Sequence, residues 1–260
     1  MFCKALILCI FVLTGAGYSN DANLGSEGGN VFPLHHSTIR MKAENVHVFL
    51  TWDSIRVECR FVFVNDGARD FVLMGFPALS CTDMDVAPIR NFSTTVDGNP
   101  VTVNYIETPD TLECRECSHG RAWYTWPVVL QERETTMVAN QYSGDIGISM
   151  GGTVSSSYMV GTGATWQGPI GSGRVVFVHG RIASSLFRLN GENASVTDTS
   201  IKVREYRDSI VYSFKDYEPR CNEGLTVSLV GFKAFSSPRF TLGDYLRSEI
   251  KAKKHTAREL

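Results

Sequence analysis

The chain has 260 residues, of which 43% are hydrophobic and 20% charged, with a formal net charge of -2. Such a composition supports a buried core in one large or two small domains. Near-neutral charge excludes a global electrostatic footprint for nucleic acid, and the six Lys/Arg against three Asp/Glu from Arg239 onward read as a solvated tail.

The N-terminus, MFCKALILCIFVLTGAGYSNDA, places Lys4 before an apolar run from Ala5 to Leu13 and small residues around Gly15–Gly17 and Ser19. This three-part pattern predicts a signal peptide over residues 1–19, because the run is too short to span a bilayer. Cys9 lies inside the run rather than at its end, so lipid attachment is not expected. No later segment approaches 18 apolar residues, so the expectation is a soluble periplasmic or secreted protein with no transmembrane segment after signal removal. Residues 20–30, NDANLGSEGGN, are polar and glycine-rich and read as a flexible lead-in.

From Val31 the rhythm has period two. Val46, Val48, Leu50 and Trp52 alternate with polar partners. Ile55, Val57, Cys59, Phe61 and Phe63 then share one face of a strand, while Arg56, Glu58 and Arg60 point the other way. Asn65-Asp66-Gly67 supplies a turn, FVLMGF (71–76) reads as a buried strand, and Asp97-Gly98-Asn99-Pro100 marks a tight hairpin. Further strands are predicted at Ala122–Leu130, Thr135–Tyr142, Ser155–Val160, Arg174–Arg181, Ile201–Arg204, Ile210–Phe214 and Leu225–Phe232. Many short strands with Gly/Asn/Asp/Pro turns and no amphipathic helix among them predict an all-β, antiparallel β-sandwich over residues 31–236. A seam near 108–120 could divide two packed sandwiches. The tail, 237–260, reads as a short helix, with capping-box spacing at Thr241–Asp244 and Leu242, Tyr245, Leu246 and Ile250 at helical intervals.

Removal of the signal leaves five cysteines, Cys59, Cys81, Cys114, Cys117 and Cys221. In an oxidising compartment these are disulfide candidates, forming at most two bridges with one thiol left over, and the sequence does not choose the pairing. Cys114, Cys117 and His119 also offer three zinc-type ligands, but no second pair occurs at ligand spacing. Ser118 between Cys117 and His119 excludes haem attachment, and a loop setting disfavours a redox CxxC. Disulfide use is the reading preferred, with no cofactor expected.

Gly147-Ile148-Ser149-Met150-Gly151 matches the nucleophile-elbow pattern, but Gly152 and Thr153 begin no helix, so Ser149 is read as a chance match. His35 and His36 are adjacent and face opposite sides of a strand, and His47 and His179 fall in strand patterns, so none forms an obvious ligand pair. Asp83 and Asp85 lack the further oxygen donors that calcium needs. Trp123 and Trp126, with Trp166, are the candidate ligand-binding residues, as an aromatic platform for a sugar or peptide. Their odd spacing places Trp123 and Trp126 on opposite faces, so at least one of them belongs in the core.

The stretch YMVGTGATWQGPIGSGRVVFVHG, from Tyr158 to Gly180, holds six glycines. It fails as a dinucleotide loop because Trp166 stands where the third glycine is required and a strand follows. It is read as a connection between strands, with Gly161, Gly163, Gly168 and Gly171 serving backbone geometry and Trp166 pinning it to the sandwich.

The same stretch carries a resemblance. Tyr158 followed by TGATWQGPIG, together with VFVNDGARDFVLMGFP (62–77), VDGNPV (96–101), the segment 123–142 and VYSFKDYEP (211–219), resembles an uncharacterised family of exported bacterial proteins, a domain of unknown function. The resemblance spans roughly residues 40–220 and implies export and a β fold. It carries no catalytic residue across, and argues against glycosylation at Asn91 and Asn193. The functional expectation is an exported, non-enzymatic binding or envelope-associated module of unknown ligand. Its rivals are a hydrolase assembled by folding and a metal module on Cys114, Cys117 and His119.

Overall fold

A computed structural model of the chain describes residues 17–19, 22–27, 30–33, 36–51, 54–81, 86–107, 122–145, 147–148, 153–179, 187–189, 200–220 and 224–231. In chain order the strands are β1 (Gly17–Ser19), β2 (Ala22–Glu27), β3 (Asn30–Pro33), β4 (Ile39–Leu50) and β5 (Ser54–Asn65). Next come β6 (Asp70–Pro77), β7 (Leu79–Cys81), β8 (Val86–Pro88), β9 (Arg90–Val96) and β10 (Asn99–Pro100). They continue as β11 (Asn104–Glu107), β12 (Ala122–Leu130), β13 (Thr135–Asp145), β14 (Gly147–Ile148) and β15 (Thr153–Met159). The last are β16 (Ile170–Val178), β17 (Phe187–Leu189), β18 (Lys202–Glu205), β19 (Ser209–Tyr217) and β20 (Gly224–Gly231).

The fold is all-β and sandwich-like. A long eight-stranded sheet runs β10-β9-β13-β5-β4-β16-β19-β18, antiparallel except where β16 lies parallel to β4. Two five-stranded sheets share one of its faces. One, β11-β12-β6-β2-β3, sets Phe76 of β6 5.0 Å from the Tyr142 ring and 5.2 Å from Phe92, on β13 and β9. The other, β1-β15-β20-β17 with β14 beside β15, sets the Tyr158 hydroxyl 4.0 Å from Cys59 Sγ of β5. Across the same gap the Tyr212 hydroxyl of β19 donates to the Thr226 carbonyl of β20 at 2.7 Å. One contiguous apolar core joins both halves, from Trp126 and Leu130 through Phe61 and Phe63 to Tyr212 and Leu225.

The alternation read from β5 is realised: Ile55, Val57, Cys59, Phe61 and Phe63 are buried, and Arg56 and Arg60 are exposed. Burial of large apolar side chains on one face stabilises that arrangement, each contributing roughly 1.5–3 kcal/mol.

Residues 20–30, expected as a flexible lead-in, are largely strand: β2 pairs with β6 and with β3. The backbone of a polar, glycine-rich segment gains ladder hydrogen bonds regardless of its side chains, which is why composition misread it. Gly17–Ser19 likewise pairs in parallel with Ser157–Met159. The seam near 108–120 and the helical tail 237–260 lie outside the described residues.

The glycine-rich connection is a short 3-10 turn, Gly161–Thr165, leading into β16. Trp166 is fully buried, 4.6 Å from the Phe63 ring and stacked on His36 at 6.4 Å. The Gln167 N–H donates to the Ile39 carbonyl at 2.8 Å, and Gly168 adopts φ +63, a conformation that favours glycine. Gly173 lies against Phe214, where an added Cβ would meet a ring carbon at 2.0 Å.

A candidate ligand groove on the outer face of the long sheet

Since the inner face of the long sheet is occupied by two other sheets, the polar alternates of β5, β4 and β16 are left facing outward. Strand register sorts them into rows. Arg60 pairs with Asn45, and Asn45 with Arg174. In the next row Glu58 pairs with His47, and His47 with Val176. In the third Arg56 pairs with Phe49, and Phe49 with Val178. Asn45, His47, Phe49, Glu58 and Arg60 line a shallow depression of about 220 Å3.

The charges here are not equivalent. Arg56 is committed: its guanidinium pairs with Glu58 and lies 4.4 Å from the Phe49 ring centre. His47 stacks on the same ring at 6.2 Å. Arg60 and Arg174 are exposed and join no ion pair among the described residues. Burial, then Arg174, and to a lesser extent Arg60, push the His47 imidazole below its usual 6.5, against the pull of Glu58. The site therefore offers two open guanidinia, a carboxamide and a neutral imidazole ready to take a proton if an anion arrives. That donor set suits a carboxylate or phosphate, since guanidinium forks match both.

The tryptophan platform is not formed. Trp126 and Trp166 are fully buried in the shared core, and Trp123 is 1% exposed, packed with Leu73 and Ile106 on the other side of its sheet. The opposite-face spacing of Trp123 and Trp126 is as expected, but both faces are covered, so neither ring is left for a ligand. Cys59 is likewise corrected as a disulfide candidate: it is a thiol buried in the core beside the Tyr158 hydroxyl. Among the described residues there is no disulfide. The side chains of Cys81, Cys114, Cys117 and Cys221 lie outside the described residues, as do His119, Ser149, His35, Asp83 and Asp85.

His36 is a structural residue. Its Nδ1 accepts backbone N–H bonds from Thr38 and Ile39, both at 3.2 Å, and its Nε2 lies 3.3 Å from the Asp70 carboxylate. His179 is buried. No three His, Cys, Asp or Glu side chains gather as a metal-ligating group among the described residues. The core also holds a buried carboxyl, Glu44, hydrogen-bonded to Tyr158; burial first, and then Cys59 and Glu44, drive the Tyr158 phenol well above its usual 10.0.

Sequence reasoning missed Asn45, His47, Phe49 and Arg174 as a group. The outward orientation of Arg56, Glu58 and Arg60 was legible from alternation. What was not legible is the parallel pairing of β16 with β4, which carries Arg174 across some 130 residues of chain to Asn45.

With this geometry in view, the class defined is a β-sandwich with an open, cation-lined sheet face. No protein-family model matches the chain, and no curated protein matches it in sequence. In fold it is similar to a Legionella pneumophila protein provisionally described as nutrient-binding. The TM-score is 0.61 at 17% identity, over 84% of this chain and 72% of that one. At that identity the likeness concerns the fold alone. An M1 zinc metallopeptidase from Deinococcus radiodurans overlaps more loosely, with TM-score 0.35 and 11% identity, and the match spans 43% of that longer chain. So loose an overlap carries no argument about chemistry.

Proposed function

We propose that this chain is an exported, non-enzymatic binding protein whose ligand is an organic anion held in the outer groove by Arg60, Asn45 and Arg174, with His47 alongside. The single observation that carries this reading is the row Arg60–Asn45–Arg174, exposed and without an ion-pair partner among the described residues. Guanidinia left open on a protein of net charge -2 gain most from a carboxylate or phosphate partner. The fold of the provisionally nutrient-binding neighbour is in keeping with a binding role. Export is read from the N-terminal pattern around Lys4 and the apolar run that follows.

The test is a titration of the whole chain with galacturonate and with inorganic phosphate at low salt, followed by NMR. Binding should shift the signals of Asn45, His47, Arg60 and Arg174, and the double variant Arg60→Gln/Arg174→Gln should abolish those shifts. Affinity for galacturonate should rise as pH falls through and below 6.5, because a bound anion favours protonated His47. No binding, or binding untouched by the double variant, sinks the proposal.

A further inference from the structure

The row that defines the groove does not stop at Arg174. Arg174 pairs with Ser213 on β19, and Ser213 with Lys202 on β18. Read across the sheet, the outward positions are Arg60, Asn45, Arg174, Ser213 and Lys202, in which a cation alternates with a small polar residue. Arg60, Asn45, Arg174 and Lys202 are exposed, and Ser213 is half-buried. Neighbouring strands lie about 4.8 Å apart, so the cations recur at roughly 9.6 Å. In the adjoining row Arg204 pairs with Val211, adding a second cation near the β18 end.

The geometry points to a track for an acidic polysaccharide, running across the strands from Arg60 to Lys202. This rests on the groove reading and extends it, naming the ligand as a chain rather than a single small anion. An anionic glycan whose charged sugars alternate with neutral ones presents carboxylates intermittently and hydroxyls between them. The cations face the first, and Asn45 and Ser213 the second. Three features disfavour other polyanions. Single-stranded nucleic acid gains much of its affinity by stacking bases on aromatic faces. Here Phe49 is already engaged by the Arg56 guanidinium and stacked on His47. A stiff duplex or a flat anionic membrane meets a face that turns by roughly 20–25° per strand, about 80–100° from β5 to β18, which a flexible chain can follow. Finally, the row from Arg60 to Lys202 presents no large apolar side chain to insert into lipid.

The test is calorimetry on the whole chain with oligosaccharides of alternating glucuronate and N-acetylglucosamine, from the disaccharide to long oligomers. Oligothymidylate and anionic phosphatidylserine vesicles form two further arms. The expected result is affinity that grows with length. Lys202→Gln/Arg204→Gln should weaken the longest oligomer by about tenfold, roughly 1.4 kcal/mol, and leave the disaccharide unchanged. Equal affinity for short and long oligomers, untouched by that variant, would overturn the track while leaving the groove proposal standing. No binding of any oligomer, with galacturonate also silent, removes both. Tighter binding of oligothymidylate or of vesicles than of the glycan at equal charge overturns the polysaccharide assignment.

Discussion

The long sheet has two faces fed by the same strands, and they differ in kind. On β5 the inward residues are Ile55, Val57, Cys59, Phe61 and Phe63, and the outward ones include Arg56, Glu58 and Arg60. The inward face, with Trp166 and Tyr142 beside it, supplies the cohesion of two stacked sheets. The outward face supplies open charge. Aromatic richness in this chain therefore marks the core, where each ring removes 150–250 Å2 from water, and contact chemistry is carried by long polar residues that resist burial.

The sharpest way to break that contrast is Trp166→Ala. The ring is fully buried against Phe63, so truncation should cost about 3–5 kcal/mol in urea unfolding. If stability held and galacturonate binding vanished, the contrast between the faces would collapse. Next in size, Gly173→Ala brings a methyl group to 2.0 Å from the Phe214 ring and should destabilise by about 1–3 kcal/mol, with Phe214→Leu added in the same chain restoring part of the loss. On the outward face, Arg60→Gln and Arg174→Gln should each shift unfolding by no more than about 0.5 kcal/mol while weakening anion binding. A large stability change in either would show that these guanidinia belong to the scaffold.

The smallest effect concerns the ion pair at the edge of the same sheet, where Arg90 holds Asp145 through two hydrogen bonds, one at 3.0 Å. The Arg90 hydrogen bond, outweighing partial burial, keeps the Asp145 carboxyl below its usual 3.8. A depressed folded-state value means that the pair stabilises above the ordinary carboxyl range and that this contribution is lost as pH falls through 3.8 and below. Both partners are about half exposed, so the contribution is under about 1 kcal/mol. Asp145→Asn should flatten that part of the pH–stability curve, as followed by thermal unfolding between neutral and acid pH.

Much of the fold was legible because alternation is a local signal. Ala122–Leu130 was read with the bounds that β12 has, and the inward set of β5 was read residue by residue. The candidate site was not legible, for two physical reasons. Tryptophan was treated as a potential surface platform, whereas a large apolar ring beside a long sheet gains more from burial, as Trp123, Trp126 and Trp166 all do. And Arg60, Asn45 and Arg174 become neighbours only through a parallel pairing, which sequence alternation does not encode. The strand at Ala22–Glu27 was missed for a related reason, since its partners, not its composition, make it a strand.

The parallel pairing of Gly17–Ser19 with Ser157–Met159 has a consequence for maturation. Those three residues occupy the end of the predicted signal peptide, so export processing and sheet completion draw on the same atoms. A chain processed after Ser19 would bare the main-chain groups of Ser157–Met159 that β1 now covers. An unpaired strand edge accepts a strand from another polypeptide. Where the signal is cut would then decide whether the mature protein carries its own edge strand or presents a seat for a donated one.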